Sequence, residues 1–285
     1  MARTPVIHLR GLQASLCRTT IERLVRTDAT IVIPERYIHD ERLRYADELA
    51  FGECQLLSSN AVTIESGHRI LLFGTGPFNE DRDGDGAFAL DGIEVVLVVP
   101  GHGLFEADGE WIDSTVSVYD LLAQSHDSVW DRPVLSQWLS SIQANSPAQL
   151  GPTDQYWWVS DIDVADALVR ILMSDEAFPP TLKISGRRQW SGTQTIEELE
   201  MLFSRTQAGM SGQFSVEHLT SAPVPHIELQ SLIVTDQPPM SVEENALVRP
   251  DLAPLHDVLA RADGDGWRPL VPIRTALMHH LAGLF

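Results

Sequence analysis

The sequence predicts an α/β fold, a parallel sheet clothed by helices, with a smaller α+β part toward the C-terminus. Three observations carry that expectation. Residues 5–9 (PVIHL) read as a short buried strand, Cys17, Ile21, Leu24 and Val25 recur behind it at helical spacing, and Thr30–Ile33 is a second apolar strand closed by Pro34. Strand, helix and strand within about 30 residues is the size of a βαβ unit, whose two strands must be parallel. The strongest strand signal is Ile93–Val99 (IEVVLVV), ended by Pro100-Gly101. A continuous apolar run of that kind suits a sheet covered on both faces. Beyond it the texture changes to helices and isolated short strands.

The remaining elements follow in order. Residues 37–52 are charged and helical in pattern, with Leu43, Ala46, Leu49 and Ala50 on the apolar side. Strands are expected at 55–57, 61–64 and 69–73, and NEDRDGDG at 79–86 reads as a polar loop. Leu135, Trp138, Leu139 and Ile142 mark an amphipathic helix, and Tyr156-Trp157-Trp158-Val159 a strand. Ser160 with Asp163 has capping-box spacing before a helix carrying Ile162, Ala165, Val169 and Leu172. Leu182-Lys183-Ile184 is a short strand. Thr195 with Glu198 is a second capping-box pattern, ahead of Ile196, Leu199, Leu202 and Phe203. Residues 227–234 read as a strand in a loop-rich stretch punctuated by Pro223, Pro225, Pro238 and Pro239. A final helix presents Ile273, Leu277, Leu281 and Leu284.

Composition narrows the classes. A chain of 285 residues with 44% hydrophobic residues builds a real core, as one large domain or two closely joined ones. The expected division is 1–105 for the sheet domain and 106–285 for the C-terminal part, packed as one unit. A net charge of −20 argues against nucleic acid and anionic membrane as partners. Two cysteines, Cys17 and Cys54, allow neither a disulfide framework nor a four-cysteine zinc site. No apolar run is long enough to span a membrane, and MARTPVIHLRG lacks the apolar stretch of a signal peptide, so a cytoplasmic protein is expected. The chain has one lysine, Lys183; every other Lys/Arg position is arginine.

Three segments carry a family resemblance. VIHLRGLQASLCRTTIERLVRTDATIVIPER supplies an opening βαβ. YWWVSDIDVADALVRIL has a strand and helix of the form V-x-D-[VI]-A-x-A, with Asp161 or Asp163 followed by Val164-Ala165-Asp166-Ala167. ARADGDGWRPLVPIRTALMHHLAGLF has a closing G-W-x-P pattern, preceded by Arg249-Pro250-Asp251. Together they resemble the extended short-chain dehydrogenase/reductase family, in its NAD-dependent epimerase/dehydratase branch. The resemblance implies an abbreviated Rossmann-like sheet with a smaller C-terminal α+β lobe, and a dinucleotide site at the first βα turn.

The departures from that family are informative. Its phosphate loop is glycine-rich because the backbone must approach the pyrophosphate at a helix start. Here the first glycine is Gly11, the second position is Ala14 and the third is Cys17. Alanine adds a Cβ where phosphate would lie, so NAD(P) is expected to bind weakly or not at all. Glu35 stands where the family places an acidic ribose ligand, and its competing reading is a surface glutamate beside Arg36. The family's acid/base tyrosine works with a lysine four residues later, which lowers the tyrosine pKa. Four residues after Tyr37, Tyr45, Tyr119 and Tyr156 stand Glu41, Leu49, Ala123 and Ser160. Length agrees. The family core needs three more strands and four crossovers between Ile33 and Ile93, and each strand-plus-helix step takes roughly 20 residues. The Tyr/Lys helix is therefore expected to be lost or shrunken, which puts a family-type dimer in doubt.

Other sites were weighed. Asp81, Asp83 and Asp85 with Gly86 form the first half of a calcium loop, but position twelve is Gly92 rather than glutamate, so an exposed acidic turn is expected. His102, in Gly101-His102-Gly103, follows the strongest strand and faces the ligand crevice of such sheets. It is the histidine with catalytic placement, yet no partners for it are visible, and VVPGHGLF keeps only a glycine of the family's R-x-x-N-x-Y-G-P stretch. His279-His280 are adjacent, a poor chelate spacing on a helix. Asp161, Asp163 and Asp166 complement a helix N-terminus, and Tyr156-Trp157-Trp158 are core aromatics. Three functions follow. The leading one is a degenerate member that kept the fold, lost redox catalysis, and serves as a binding or assembly subunit for a protein partner or small-molecule ligand. The others are an active epimerase, dehydratase or reductase on a nucleotide-sugar-like substrate, and a calcium-dependent interaction module.

Overall fold

Short apolar strands separated by helices assemble around Val6–Arg10 (β1) in the computed structural model, which describes residues 4–74, 91–102, 111–125, 129–148, 150, 155–215 and 249–283. Ser15–Leu24 (α1) leads to Thr30–Ile33 (β2). Glu35–Arg44 (α2) and Ala46–Phe51 (α3) lead to Gln55–Ser58 (β3). Arg69–Phe73 (β4), Glu94–Pro100 (β5) and Ser114–Val118 (β6) follow, and Thr181–Ile184 (β10) joins them from far along the chain. These seven strands form one sheet in the order β10-β6-β5-β4-β1-β2-β3. Every pair is parallel. The strand order reverses between β1 and β4, which puts the ligand crevice of such a sheet at their carboxyl ends.

The two faces are clothed differently. On one, Ile7, Leu9, Ile31, Leu71, Val96 and Val116 pack against α1, against Asp161–Leu172 (α5) and against Ala253–Asp263 (α7). α5 is buried nearly all round, with Asp166 as its exposed residue. On the other, Ile70, Leu72, Val95, Leu97 and Val99 are covered by Ile64, Ile93, Trp111 and Ile112, all from connecting segments. β3 reaches β4 through residues 59–68 without a helix. Ten residues extend to about 35 Å, enough to cross two strands and return to the starting end.

The sheet corrects the length argument. Glu94–Pro100 is the fifth strand rather than the sixth, so two strands, not three, lie between β2 and it. The sixth, Ser114–Val118 (STVSV), has no apolar run to announce it; its valines face the helices and its Thr115 and Ser117 lie on the other side. The sheet therefore keeps seven strands and the economy falls on the crossovers. Residues 101–113 between β5 and β6 are close to the dozen that a parallel crossover needs.

The C-terminal part adds Leu121–Leu122 (β7), Pro133–Gln143 (α4), Gln155–Tyr156 (β8), Val159–Ser160 (β9), Trp190–Ser191 (β11), Gly192–Ser211 (α6) and Ile273–Ala282 (α8). β7 pairs with β9 and β8 with β11. A second core of Leu135, Trp138, Trp158, Leu199, Leu277 and Leu281 joins α4, α6 and α8. Arg69, at the start of β4, donates to the carbonyls of Ile171 and Leu172 at the end of α5 and of Ser174 and Glu176 beyond it, and pairs with Glu94 at 3.0 Å.

Local details also differ from expectation. Residues 61–64 are irregular chain leaving the sheet edge, not a strand. The 37–52 helix breaks at Tyr45, and its buried side carries Ile38 and Glu41 while Leu43 is exposed. The 156–159 strand splits, because β8 and β9 pair with different partners. Ser160 caps α5 by accepting from Ile162 N, but Asp163 is committed elsewhere, so no box closes. The box of α6 is Ser191 with Gln194, one turn earlier than Thr195 with Glu198. Residues 227–234, Leu284 and the loop of Asp81, Asp83 and Asp85 lie outside the described residues. No described helix is long and apolar enough to cross a membrane, and the described residues hold no cluster of metal-ligating side chains.

Candidate functional site

The first βα turn begins at Gly11, whose φ of +82° suits glycine, and a Cβ there would stand 2.2 Å from the Phe73 carbonyl oxygen. That contact locks the turn onto the end of β4. Ala14 is the N-cap of α1 and its side chain offers no capping hydrogen bond. Cys17 is fully buried one turn later, its Sγ 4.0 Å from the Arg10 carbonyl oxygen. Of residues 11–17 only Gln13 is exposed. Glu35 opens α2 at the same end of the sheet, and its carboxylate accepts from the Ser58 hydroxyl. The structure thus brings Gly11, Ala14, Cys17 and Glu35 to one end of adjacent strands. Gly11 keeps the glycine of the turn, and the two later glycine positions carry the side chains of Ala14 and Cys17.

The strand leading into that turn carries two buried polar residues that sequence reasoning passed over. Arg10 is 1% exposed and donates to the Leu9 carbonyl at 3.1 Å. His8 is fully buried, stacked on His68, with its Nε2 3.0 Å from the His68 Nδ1. Burial pushes His8 down to about 3, helped by the charge of Arg10 and then by His68. A histidine or arginine inside a central strand breaks the apolar run of PVIHLR, and that interruption was the available signal.

At the carboxyl ends of β5 and β6 stand His102, Tyr119, Asp120 and Arg132. A Cβ on Gly101 would meet the Tyr119 ring at 2.6 Å, so the two strand ends are in close contact. His102 is held below the ordinary histidine value by burial and then by Arg132, while a hydrogen bond with the Val129 backbone works the other way. Its Nδ1 is shielded from water and has no hydrogen-bond partner among the described residues. Asp120, at a positive φ of 50°, accepts from Trp157 N at 2.7 Å and pairs with Arg132 at 3.4 Å; burial still raises its carboxyl. Arg132 in turn lies 5.6 Å from the Tyr156 ring centre, and Tyr156 stacks on Trp158.

The tyrosines and the lysine are dispersed. Tyr45 is buried beside α2, and burial followed by Glu41 pushes it up to about 12, away from acid/base use near neutrality. Tyr37 lies under the Arg36 guanidinium. Lys183 is in register with Ser117 of β6, while Tyr119 follows the end of β6 and its ring lies against Gly101, on the β5 side. No hydrogen bond joins them among the described residues.

The acidic helix start does more than complement a dipole. Asp161 Oδ2 accepts from Thr19 Oγ1 at 3.1 Å and from Gln124 N at 3.0 Å, tying α5 to α1 and to the loop after β7. Asp163 accepts from the backbone N–H groups of Leu270 and Val271. Burial raises both carboxyls despite these bonds.

The Asp163 clasp closes one side of a cavity of about 690 Å³ that sequence reasoning did not foresee. It lies beyond the carboxyl end of β10, between residues 186–198 and 268–274, and is lined by none of Gly11, Ala14, Cys17, Glu35 or His102. Its size suits a small-molecule ligand. Arg187, Arg188, Arg268 and Arg274 line it together with Trp158 and Trp190.

No protein-family model matches the sequence, and no curated protein matches it. Solved structures do. A point mutant of UDP-glucuronic acid 4-epimerase from Bacillus cereus, in complex with UDP-4-deoxy-4-fluoro-glucuronic acid and NAD, superposes with a TM-score of 0.51 at 10% identity over 98% of both chains. The terminal R domain of the myxalamid PKS-NRPS biosynthetic pathway gives 0.50 at 11% identity, over 100% of this chain and 91% of that one. Across most of its length the chain is structurally similar to members of the NAD-dependent epimerase/dehydratase family, and at these identities the likeness is one of fold.

Proposed function

We propose that this protein keeps an epimerase/dehydratase-type fold without its redox step and acts as a binding or assembly subunit. One observation carries the reading: no tyrosine is followed by lysine at the helical spacing the reaction uses, and the lone lysine sits on the edge strand β10. The altered turn at Ala14 and Cys17 and the engaged Glu35 support it, because each removes part of a dinucleotide grip. The test is to denature the purified protein and separate what is released. The reading expects no NAD(H) or NADP(H); near-equimolar nucleotide would overturn its cofactor-free form.

A second reading, a working reductase or epimerase with unconventional residues, is favoured by the placement of Tyr119 against Gly101, next to His102, at the carboxyl ends of β5 and β6. It requires nucleotide-dependent turnover that Tyr119→Phe abolishes while the fold survives.

A further inference from the structure

We propose that the cavity between residues 186–198 and 268–274 binds a small anion that carries a flat ring. The inference stands apart from the fate of the redox step, since the cavity shares no residue with the first βα turn.

Charge is the first support. The chain has a net charge of −20, yet four arginines converge here. Two of the three lining carboxylates are already satisfied. Glu198 holds Arg274 in a two-point pair at 2.8 and 2.6 Å, and Asp163 accepts from Leu270 N and Val271 N. That leaves Arg187, Arg188 and Arg268 against Glu197. None of these three arginines has an ion pair or hydrogen bond among the described residues, and all three are exposed. In an acidic protein, arginines lining one cavity without a carboxylate partner among the described residues attract anions, and a guanidinium matches a carboxylate or phosphate two-point.

The aromatic wall is the second support. The Arg188 guanidinium lies 5.1 Å from the Trp190 ring centre, an arrangement in which cation and ring already stack. The Trp190 indole N–H is shielded from water and has no acceptor among the described residues, while the partly exposed ring lines the cavity. Trp158, by contrast, spends its N–H on Thr195 Oγ1 at 3.0 Å and serves as a fixed floor. Leu270, Val271 and Ile273 give the opposite wall an apolar surface. A flat ring between tryptophan and aliphatic walls, with its charged group among the arginines, uses every feature of the lining.

The experiment is a titration followed by tryptophan fluorescence and calorimetry, with AMP and benzoate as ring-bearing phosphate and carboxylate, and adenosine and inorganic phosphate as the separated parts. Binding of AMP or benzoate at least tenfold tighter than of adenosine or inorganic phosphate is expected, weakening with added salt. The preference between AMP and benzoate then fixes the anion. Arg187→Ala with Arg268→Ala should weaken the better probe at least tenfold, and Trp190→Leu should do so without altering the salt dependence. These arginines are exposed and unpaired among the described residues, so the fold should survive their removal, and Arg187→Glu gives a second, stronger perturbation of the same sign. No binding of either ring-bearing anion at millimolar concentration, or binding unchanged in the double arginine variant, overturns the proposal.

Discussion

Replacing His8 with leucine should remove a specific piece of the protein's acid sensitivity. The folded chain keeps this histidine neutral down to about pH 3, whereas the unfolded chain protonates it from the ordinary value of 6.5. A folded pKa below the unfolded one means that stability is present above pH 6.5 and is lost as pH falls toward 3. Each pH unit inside that window costs about 1.4 kcal/mol, and integration from pH 7 to pH 5 gives about 2 kcal/mol. Other groups work in the opposite direction. Burial raises Glu94, Asp120, Asp161 and Asp163, so their contribution is greatest at low pH and is lost as pH rises through their folded values. The wild-type pH profile is therefore a mixture, and the difference between two proteins isolates His8. Urea unfolding followed by tryptophan fluorescence at pH 7 and pH 5 provides it. The wild type should lose about 2 kcal/mol more than His8→Leu between the two conditions. His68→Leu leaves His8 buried beside Arg10, and most of the dependence should persist. Equal pH responses in wild type and His8→Leu would refute the assignment of a neutral, desolvated histidine inside β1.

Gly11→Ala meets both a positive φ and the Phe73 carbonyl at 2.2 Å, so denaturant unfolding should show a loss of at least about 2 kcal/mol. Arg69→Met strips four carbonyls and Glu94 of their shared cation; a loss of about 3–5 kcal/mol is expected, in the range for breaking a shielded pair from one side. Calcium should leave the melting temperature unchanged, and a calcium-dependent rise that disappears in Asp83→Ala would instead establish a cation site in the 81–86 loop.

The parts legible in the sequence were those with one-dimensional signals. PVIHL, TIVI, RILLF and EVVLVV are apolar runs bounded by proline or glycine, and they became β1, β2, β4 and β5. β6 was not legible, since STVSV alternates hydroxyls with valines and only its place between β5 and β10 makes it a central strand. Capping boxes misled for a related reason. Asp163 had the right spacing from Ser160, yet Leu270 N and Val271 N, more than a hundred residues away, took its carboxylate. The cavity was out of reach altogether. Arg187 and Arg188 sit in one segment and Arg268 and Arg274 in another, and the pair between Arg274 and Glu198 ties the two segments together. At the first turn the residue types were readable, but not that Ser58 would occupy Glu35 or that Arg10 would be buried beneath Gly11.

Whether the turn at Gly11, Ala14 and Cys17 still grips a dinucleotide decides between a binding subunit and a working enzyme. Thermal unfolding of the purified protein in NAD⁺, NADH, NADP⁺ and NADPH, each at millimolar concentration, answers this directly. A ligand present at 100 times its Kd stabilises by about 2.7 kcal/mol, an easily resolved shift. The account predicts no such shift with any of the four. A shift of that size with one of them, lost in Gln13→Trp at the exposed tip of the turn, would contradict it.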